Sequence, residues 1–180
     1  GWFRLGELRE MAGDIEAAVE AWREALRLDA ADRFGASLKL ALHGAALAIE
    51  TPPSAFVETL FDQYADDFDS ALVQRLGYRA PELIVEALAH TGATAFAHVV
   101  DLGCGTGLVG ERLRASASFI EGIDLSAGML RRARAKGVYD RLARQDLQTW
   151  RPDAAEADLV VAADVFNYVG ALDRLVASAF

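Results

Sequence analysis

Seven residues near the middle of the chain, Asp101-Leu102-Gly103-Cys104-Gly105-Thr106-Gly107, set an acid ahead of three glycines at alternate positions, and a second acid, Asp124, follows Gly105 by 19 residues. Glycine permits a tight turn and a backbone approach to a ligand that a Cβ would exclude, and amide N–H groups opening a helix suit a polar ligand. A carboxylate about 20 residues further on has the spacing of an acid that accepts the hydroxyls of a ribose. The chemistry these residues predict is nucleoside binding. Which nucleoside stays open on spacing alone, because Gly105-Thr106-Gly107-Leu108-Val109-Gly110 also fits the G-x-G-x-x-G pattern of dinucleotide sites.

Such a loop has to be carried by a strand and followed by a helix. Ala95 to Val100 is a short apolar, β-branched run suited to a buried parallel strand, and Leu108 to Leu113 then reads as helical. Phe119 to Ile123 is the next strand and ends at Asp124, and a right-handed crossover lays the two strands side by side. Arg141 to Gln145 reads as a third strand ending in Asp146-Leu147. Ala157 to Asp164 reads as a fourth, followed at its carboxyl end, where open α/β sheets hold ligands, by Val165 to Gly170. Asp164 and Tyr168 are therefore pocket candidates, Tyr168 equally a residue packed under the next helix. Asp158 belongs to the start of that strand and not to the site.

The frame Asp101-x-Gly103-x-Gly105-x-Gly107 is similar to the first motif of class I S-adenosylmethionine-dependent methyltransferases, and Asp124-Leu125-Ser126-Ala127-Gly128-Met129-Leu130 resembles their second. The resemblance implies an α/β, Rossmann-like core with S-adenosylmethionine as cofactor and a small-molecule methyl acceptor. It implies that Asp101 orients the loop and meets the cofactor's amino group. Gly103, Cys104, Gly105 and Gly107 then shape the loop, Asp124 takes the ribose, and Leu125 and Met129 flank the adenine. Asp146, with Leu147, stands where the family positions an acid on the adenine amino group. The string Phe61-Asp62-Gln63-Tyr64-Ala65-Asp66-Asp67-Phe68-Asp69, followed by Leu76-Gly77-Tyr78-Arg79-Ala80-Pro81, resembles the helical lid that precedes this core. By that resemblance Tyr64 faces the methionine end and Arg79 pairs with the cofactor's carboxylate, or Arg79 is an exposed helix-cap residue. Methyl transfer mainly needs alignment of a nucleophile, so no catalytic residue is assigned, and Cys104 is expected to be chemically inert. Two other readings use the same residues: a nicotinamide-dependent oxidoreductase, and a non-catalytic scaffold with a vestigial nucleotide fold.

The chain therefore divides on sequence into a helical segment (1–50), a lid or connector (51–94) opened by Thr51-Pro52-Pro53-Ser54, and the core (95–180). In the first, Trp2-x-x-Leu5-Gly6, Gly13-Asp14, Ala18, Trp22 and Ala25 resemble a tetratricopeptide repeat, with Arg9 in place of the usual aromatic and Ala30 in place of the usual proline. Two antiparallel helices are expected, then a third from Asp32 to Ile49. The resemblance implies either a docking surface for a protein partner or helices that only pack within the molecule. The family usually adds three strands after the fourth, so the chain is expected to be part of a longer polypeptide.

Apolar residues make up 53% of the 180 and charged residues 25%, the balance of a globular protein. No apolar stretch reaches the roughly 20 residues that span a bilayer. The formal charge of −9 disfavours a phosphate backbone, and the one basic cluster, Arg131 to Lys136, has no interleaved aromatics, so no nucleic-acid partner is expected. One cysteine excludes an internal disulfide, and three scattered histidines have no metal-ligand spacing, so no metal is expected and a cytoplasmic setting is the default.

Overall fold

The computed structural model describes residues 1–75, 77–151 and 157–179; Leu76 of the lid string and Phe180 lie outside them. Packing divides the chain into two compact units, Gly1–Thr59 and Leu60–Phe180. The division falls inside a helix, a few residues beyond the Pro52-Pro53 boundary read from the sequence.

In the first unit, α1 (Trp2–Met11) and α2 (Ile15–Leu28) are joined through Gly13, at φ +81, and Asp14. The Asp14 carboxylate caps α2 by accepting from the Ala17 N–H at 3.1 Å. A Cβ at Gly6 would stand 2.3 Å from the Trp22 indole nitrogen, so glycine alone lets α1 lie against that fully buried ring. Arg9 uses its guanidinium to bridge the turn, donating to the Ala17 carbonyl at 2.9 Å.

The third helix is shorter than the sequence suggests: α3 spans Ala36–Leu42, not Asp32 to Ile49. Its start is fixed by Asp32, which takes a left-handed φ of +56 and caps the helix by accepting from Ala36 N–H at 2.6 Å and Ser37 N–H at 2.9 Å. Its end is fixed by Gly44 at φ +67. Glu10 ties α1 to α3, pairing with Lys39 at 2.6 Å and His43 at 2.8 Å.

Helix α4 (Ser54–Tyr64) starts behind the two prolines. The run from Ala55 to Leu76 is amphipathic and ends at Gly77, the pattern of one helix, but α4 stops at Tyr64 and the segment continues through a turn into a π-helical turn at Ser70–Arg75. The break releases acids toward other elements: Asp66 pairs with Arg132 at 2.7 Å, and Asp69 pairs with Lys136 at 2.8 Å. The basic cluster thus has acidic partners on the lid segment. Helix α5 (Ala80–Thr91) carries Pro81 in its first turn and ends at Gly92, φ +79.

The remainder is β1 (Phe96–Leu102), α6 (Leu108–Leu113), β2 (Ala117–Asp124), α7 (Ala127–Lys136), β3 (Arg141–Arg144), β4 (Leu159–Val161) and α8 (Asp173–Ala179). The four strands form one parallel sheet in the order β3-β2-β1-β4. Val99 and Ile120 pack with Val109 and Leu113 on one face. Val100, Leu102 and Ile123 pack with Leu147, Trp150, Val169 and Leu175 on the other, the two-sided burial that parallel strands require. Strand β4 is shorter than the run from Ala157 to Asp164 because Asp164 turns left-handed, φ +53, after it. Asp158 anchors the start of the sheet: its carboxylate accepts from the Ala97 and His98 N–H groups at 2.7 and 2.8 Å. Because β2 and β4 lie on opposite sides of β1, the chain diverges at the carboxyl end of β1, which is where doubly wound sheets open a crevice.

Candidate functional site

Asp101 lies opposite Gly122 in the β1–β2 register, and Asp124 ends β2, so both acids emerge at the crevice. The loop after β1 is held from inside the protein. The amides of Gly103 and Cys104 donate to the Ile123 carbonyl at 2.8 and 3.0 Å, Gly107 N–H donates to the Cys104 carbonyl at 2.9 Å, and Gly105 N–H donates to Asp124 at 2.9 Å. These four amides are engaged within the protein. What the glycines supply is conformation and space: Gly103, Gly105 and Gly107 all have positive φ, at +69, +53 and +94.

Asp124 accepts from Gly105 N–H with one oxygen and from Ser126 N–H, at 2.8 Å, with the other. Burial raises its pKa against those backbone hydrogen bonds. Each carboxylate oxygen keeps acceptor capacity for a hydroxyl. Asp101 is almost completely buried. Its Oδ2 accepts from the Tyr139 hydroxyl at 2.7 Å, and its Oδ1 is buried with no hydrogen-bond partner among the described residues. Burial pushes its pKa up to about 7, with the Tyr139 hydrogen bond opposing and the Asp124 charge adding to the rise. Burial and the two nearby carboxylates push the Cys104 thiol up as well, so it is not a thiolate nucleophile.

Among the described residues, the lid segment reaches the loop through its acids. Asp62 accepts from the Ser126 hydroxyl at 2.5 Å and Gly128 N–H at 2.8 Å, at the start of α7. Thr106 donates its hydroxyl to Asp69. Phe61 stacks edge-on with Phe68 and with Tyr168, at centroid distances of 6.2 and 4.9 Å, and Phe68 reaches within 4.0 Å of where a Cβ on Gly105 would stand. Tyr78 hydrogen-bonds Asp164, and burial followed by the charge of that acid raises its phenol pKa.

The residues read from the sequence are therefore distributed unevenly. Asp101, Gly103, Cys104, Gly105, Gly107 and Asp124 come together at one end of the sheet, and half-buried Leu125 follows directly. Met129 is 1% exposed within α7, and Leu147 belongs to the core around Trp150, so both face protein more than crevice. Asp146 accepts from Gln148 N–H at 2.9 Å, and Asp164 is exposed beyond β4. Tyr64 is 56% exposed at the end of α4, and Arg79 pairs with Glu86 at 3.4 Å on the surface of α5, the helix-cap alternative. Sequence reasoning missed Asp62, Asp69, Tyr78 and Tyr139. The three acids and phenols before the core lie within the lid string, where a run of polar groups among aromatics was the available signal; Tyr139 carried none.

Fold and site together define a Rossmann-like domain whose glycine loop is surrounded by carboxylates. Residues 99–180 match the family described as "Methyltransferase domain". The chain is 42% identical over 85 residues to human methyltransferase-like protein 27, covering 46% of this chain and 34% of that protein. It is 35% identical over 117 residues to trans-aconitate 2-methyltransferase of Paracidovorax citrulli, covering 63% and 45%. The solved complex of DhpI with SAM and HEP superposes with a TM-score of 0.53 at 26% identity, covering 67% of this chain and 57% of that one. The four-stranded parallel sheet thus has the Rossmann-like methyltransferase fold, and residues 99–180 are similar to the methyltransferase domain. The chain spans less than half the length of the curated relatives it matches.

Proposed function

We propose that the protein binds S-adenosylmethionine at the carboxyl ends of β1 and β2 and transfers its methyl group to a small-molecule acceptor. The observation that carries this reading is the charge around the loop. Asp101 and Asp124 stand within it, and Asp62 and Asp69 bond to Ser126 and Thr106 at its rim. Four loop amides are already engaged, so a pyrophosphate would meet carboxylates and few donors, whereas a sulfonium and an ammonium group are cations that such a site favours. The unpartnered buried Oδ1 of Asp101 fits the ammonium, and the spare acceptor capacity of Asp124 fits the ribose hydroxyls.

When bound, the cofactor supplies a methyl group on an electron-poor sulfur, and in-line attack by the acceptor forms the new bond as the carbon–sulfur bond breaks. The protein's part is to hold the cofactor, exclude water and align the acceptor. Leu125 and Asp146 are read as the adenine side, Tyr64 and Arg79 as groups for the methionine end, and Asp164 as a residue of the pocket. Relatives named for trans-aconitate support the small-molecule class. Calorimetry tests the reading: S-adenosylhomocysteine should bind and NADH should not. Binding of NADH alone would overturn it, and binding of neither would favour a vestigial fold.

The first unit we read as tetratricopeptide-like, a docking module for a protein partner, on the close approach of Gly6 to Trp22. Repeats of this kind gain stability by stacking. A consensus repeat fused ahead of Gly1 should therefore raise the unfolding midpoint reported by Trp22; no gain would count against the repeat reading.

A further inference from the structure

Tyr139 belongs to none of the motifs, yet glycines from three elements are shaped around its ring. A Cβ at Gly110 in α6 would stand 2.5 Å from its Cζ and 2.6 Å from its hydroxyl oxygen. One at Gly107, in the loop, would stand 2.9 Å from Cε2, and one at Gly122, in β2, would stand 2.9 Å from Cδ1. Real Cβ atoms do not come so close, so these glycines keep open a slot for a phenol. In that slot the hydroxyl donates to Asp101 Oδ2 at 2.7 Å, while Oδ1 of the same carboxylate has no hydrogen-bond partner among the described residues.

We propose that Tyr139 is a positioning residue for cofactor binding: it holds Asp101 by one oxygen and leaves the other to accept from the ammonium group of S-adenosylmethionine. The inference rests on the cofactor reading above and deepens it. It also reassigns Gly107 and Gly110, which a motif reading gives to the ligand, to the support of a side chain. A phenol suits this task. Burial and the Asp101 charge push its own pKa well up, so it stays a donor wherever Asp101 titrates. The groups facing Asp101 are Tyr139 from beyond α7, Asp124 from β2, Cys104 from the loop and Tyr78 from the lid segment. Of these, Tyr139 favours the carboxylate, whereas Asp124 repels it and the Cys104 thiol stays protonated.

The test is calorimetry from about pH 6 to about pH 9 on wild type, Tyr139→Phe, Asp101→Asn and the double variant. Two ligands are used: S-adenosylhomocysteine, and 5′-methylthioadenosine, which lacks the amino-acid portion. Wild-type affinity for S-adenosylhomocysteine should fall as the pH drops through about 7. Tyr139→Phe keeps the ring and the packing. It should weaken S-adenosylhomocysteine about ten-fold near neutrality, the loss typical of one hydrogen bond to a charged group, and move the pH midpoint upward. Binding of 5′-methylthioadenosine should be unchanged, and in the Asp101→Asn background the Tyr139→Phe effect should vanish. Equal loss for both ligands would mean that Tyr139 only supports the loop, and an unmoved midpoint would equally overturn the proposal. If wild type binds neither ligand, the cofactor reading itself fails, and this inference with it.

Discussion

Asp101 and Asp124 leave the same end of the sheet, but their surroundings divide their roles. Asp124 is held by two backbone amides, and its substitution by alanine should weaken S-adenosylhomocysteine roughly 10- to 100-fold, measured by calorimetry. Asp101 has one hydroxyl partner and deep burial, and its folded pKa of about 7 lies above the ordinary value of 3.8. A raised acid binds its proton more tightly when folded, so stability falls as pH rises from about 4 through about 7. Asp101→Asn should therefore make the ligand-free protein more stable than wild type at about pH 8, by up to a few kcal/mol, with the difference gone near pH 4; urea unfolding at the two pH values checks it. The two acids were legible because each belongs to a short frame tied to a strand end. Tyr139 was not: no spacing rule links the turn after α7 to the end of β1, 38 positions earlier, and only the folded sheet brings them together.

Among the elements, those with strong local signals appeared where the sequence put them. The strand, loop and helix from Phe96 to Leu113 follow from an apolar run and glycine punctuation, and α7 follows from Ser126, whose hydroxyl accepts from Met129 N–H at 3.0 Å. Long helices read from periodicity fared worse. Asp32 in a left-handed conformation starts α3 late, and past Tyr64 the acids of the lid segment bond to α7 and the loop, tertiary contacts that amphipathic spacing does not register. Asp62 adds a second acceptor at the start of α7 from a helix 64 residues away. Asp62→Ala should cost about 1 kcal/mol in urea unfolding of the second unit, as loss of a helix cap does, whereas Asp62→Asn should retain much of it. Equal losses for the two would show that the carboxylate charge, and not its acceptor oxygen, matters.

For the whole molecule, two compact units make two sets of consequences. In the first, Gly6→Val drives a branched side chain into the Trp22 indole and should cost about 1–3 kcal/mol, the usual range for overpacking, seen as an earlier loss of Trp22 fluorescence in denaturant. Trp2→Phe and Trp150→Phe isolate that signal. In the second, the slot around Tyr139 bears on how this sequence can vary. All three of the nearest atoms to a Cβ at Gly110 belong to Tyr139, and Gly110 sits inside a helix with no positive φ. Glycine there costs the helix about 1 kcal/mol relative to alanine, and the atoms that a Cβ would meet first belong to the tyrosine. The sign of Gly110→Ala should accordingly reverse with its neighbour: harmful beside Tyr139, beneficial once Tyr139→Leu has vacated the slot. Two positions that share no motif would then be free to change only in one order, the tyrosine first.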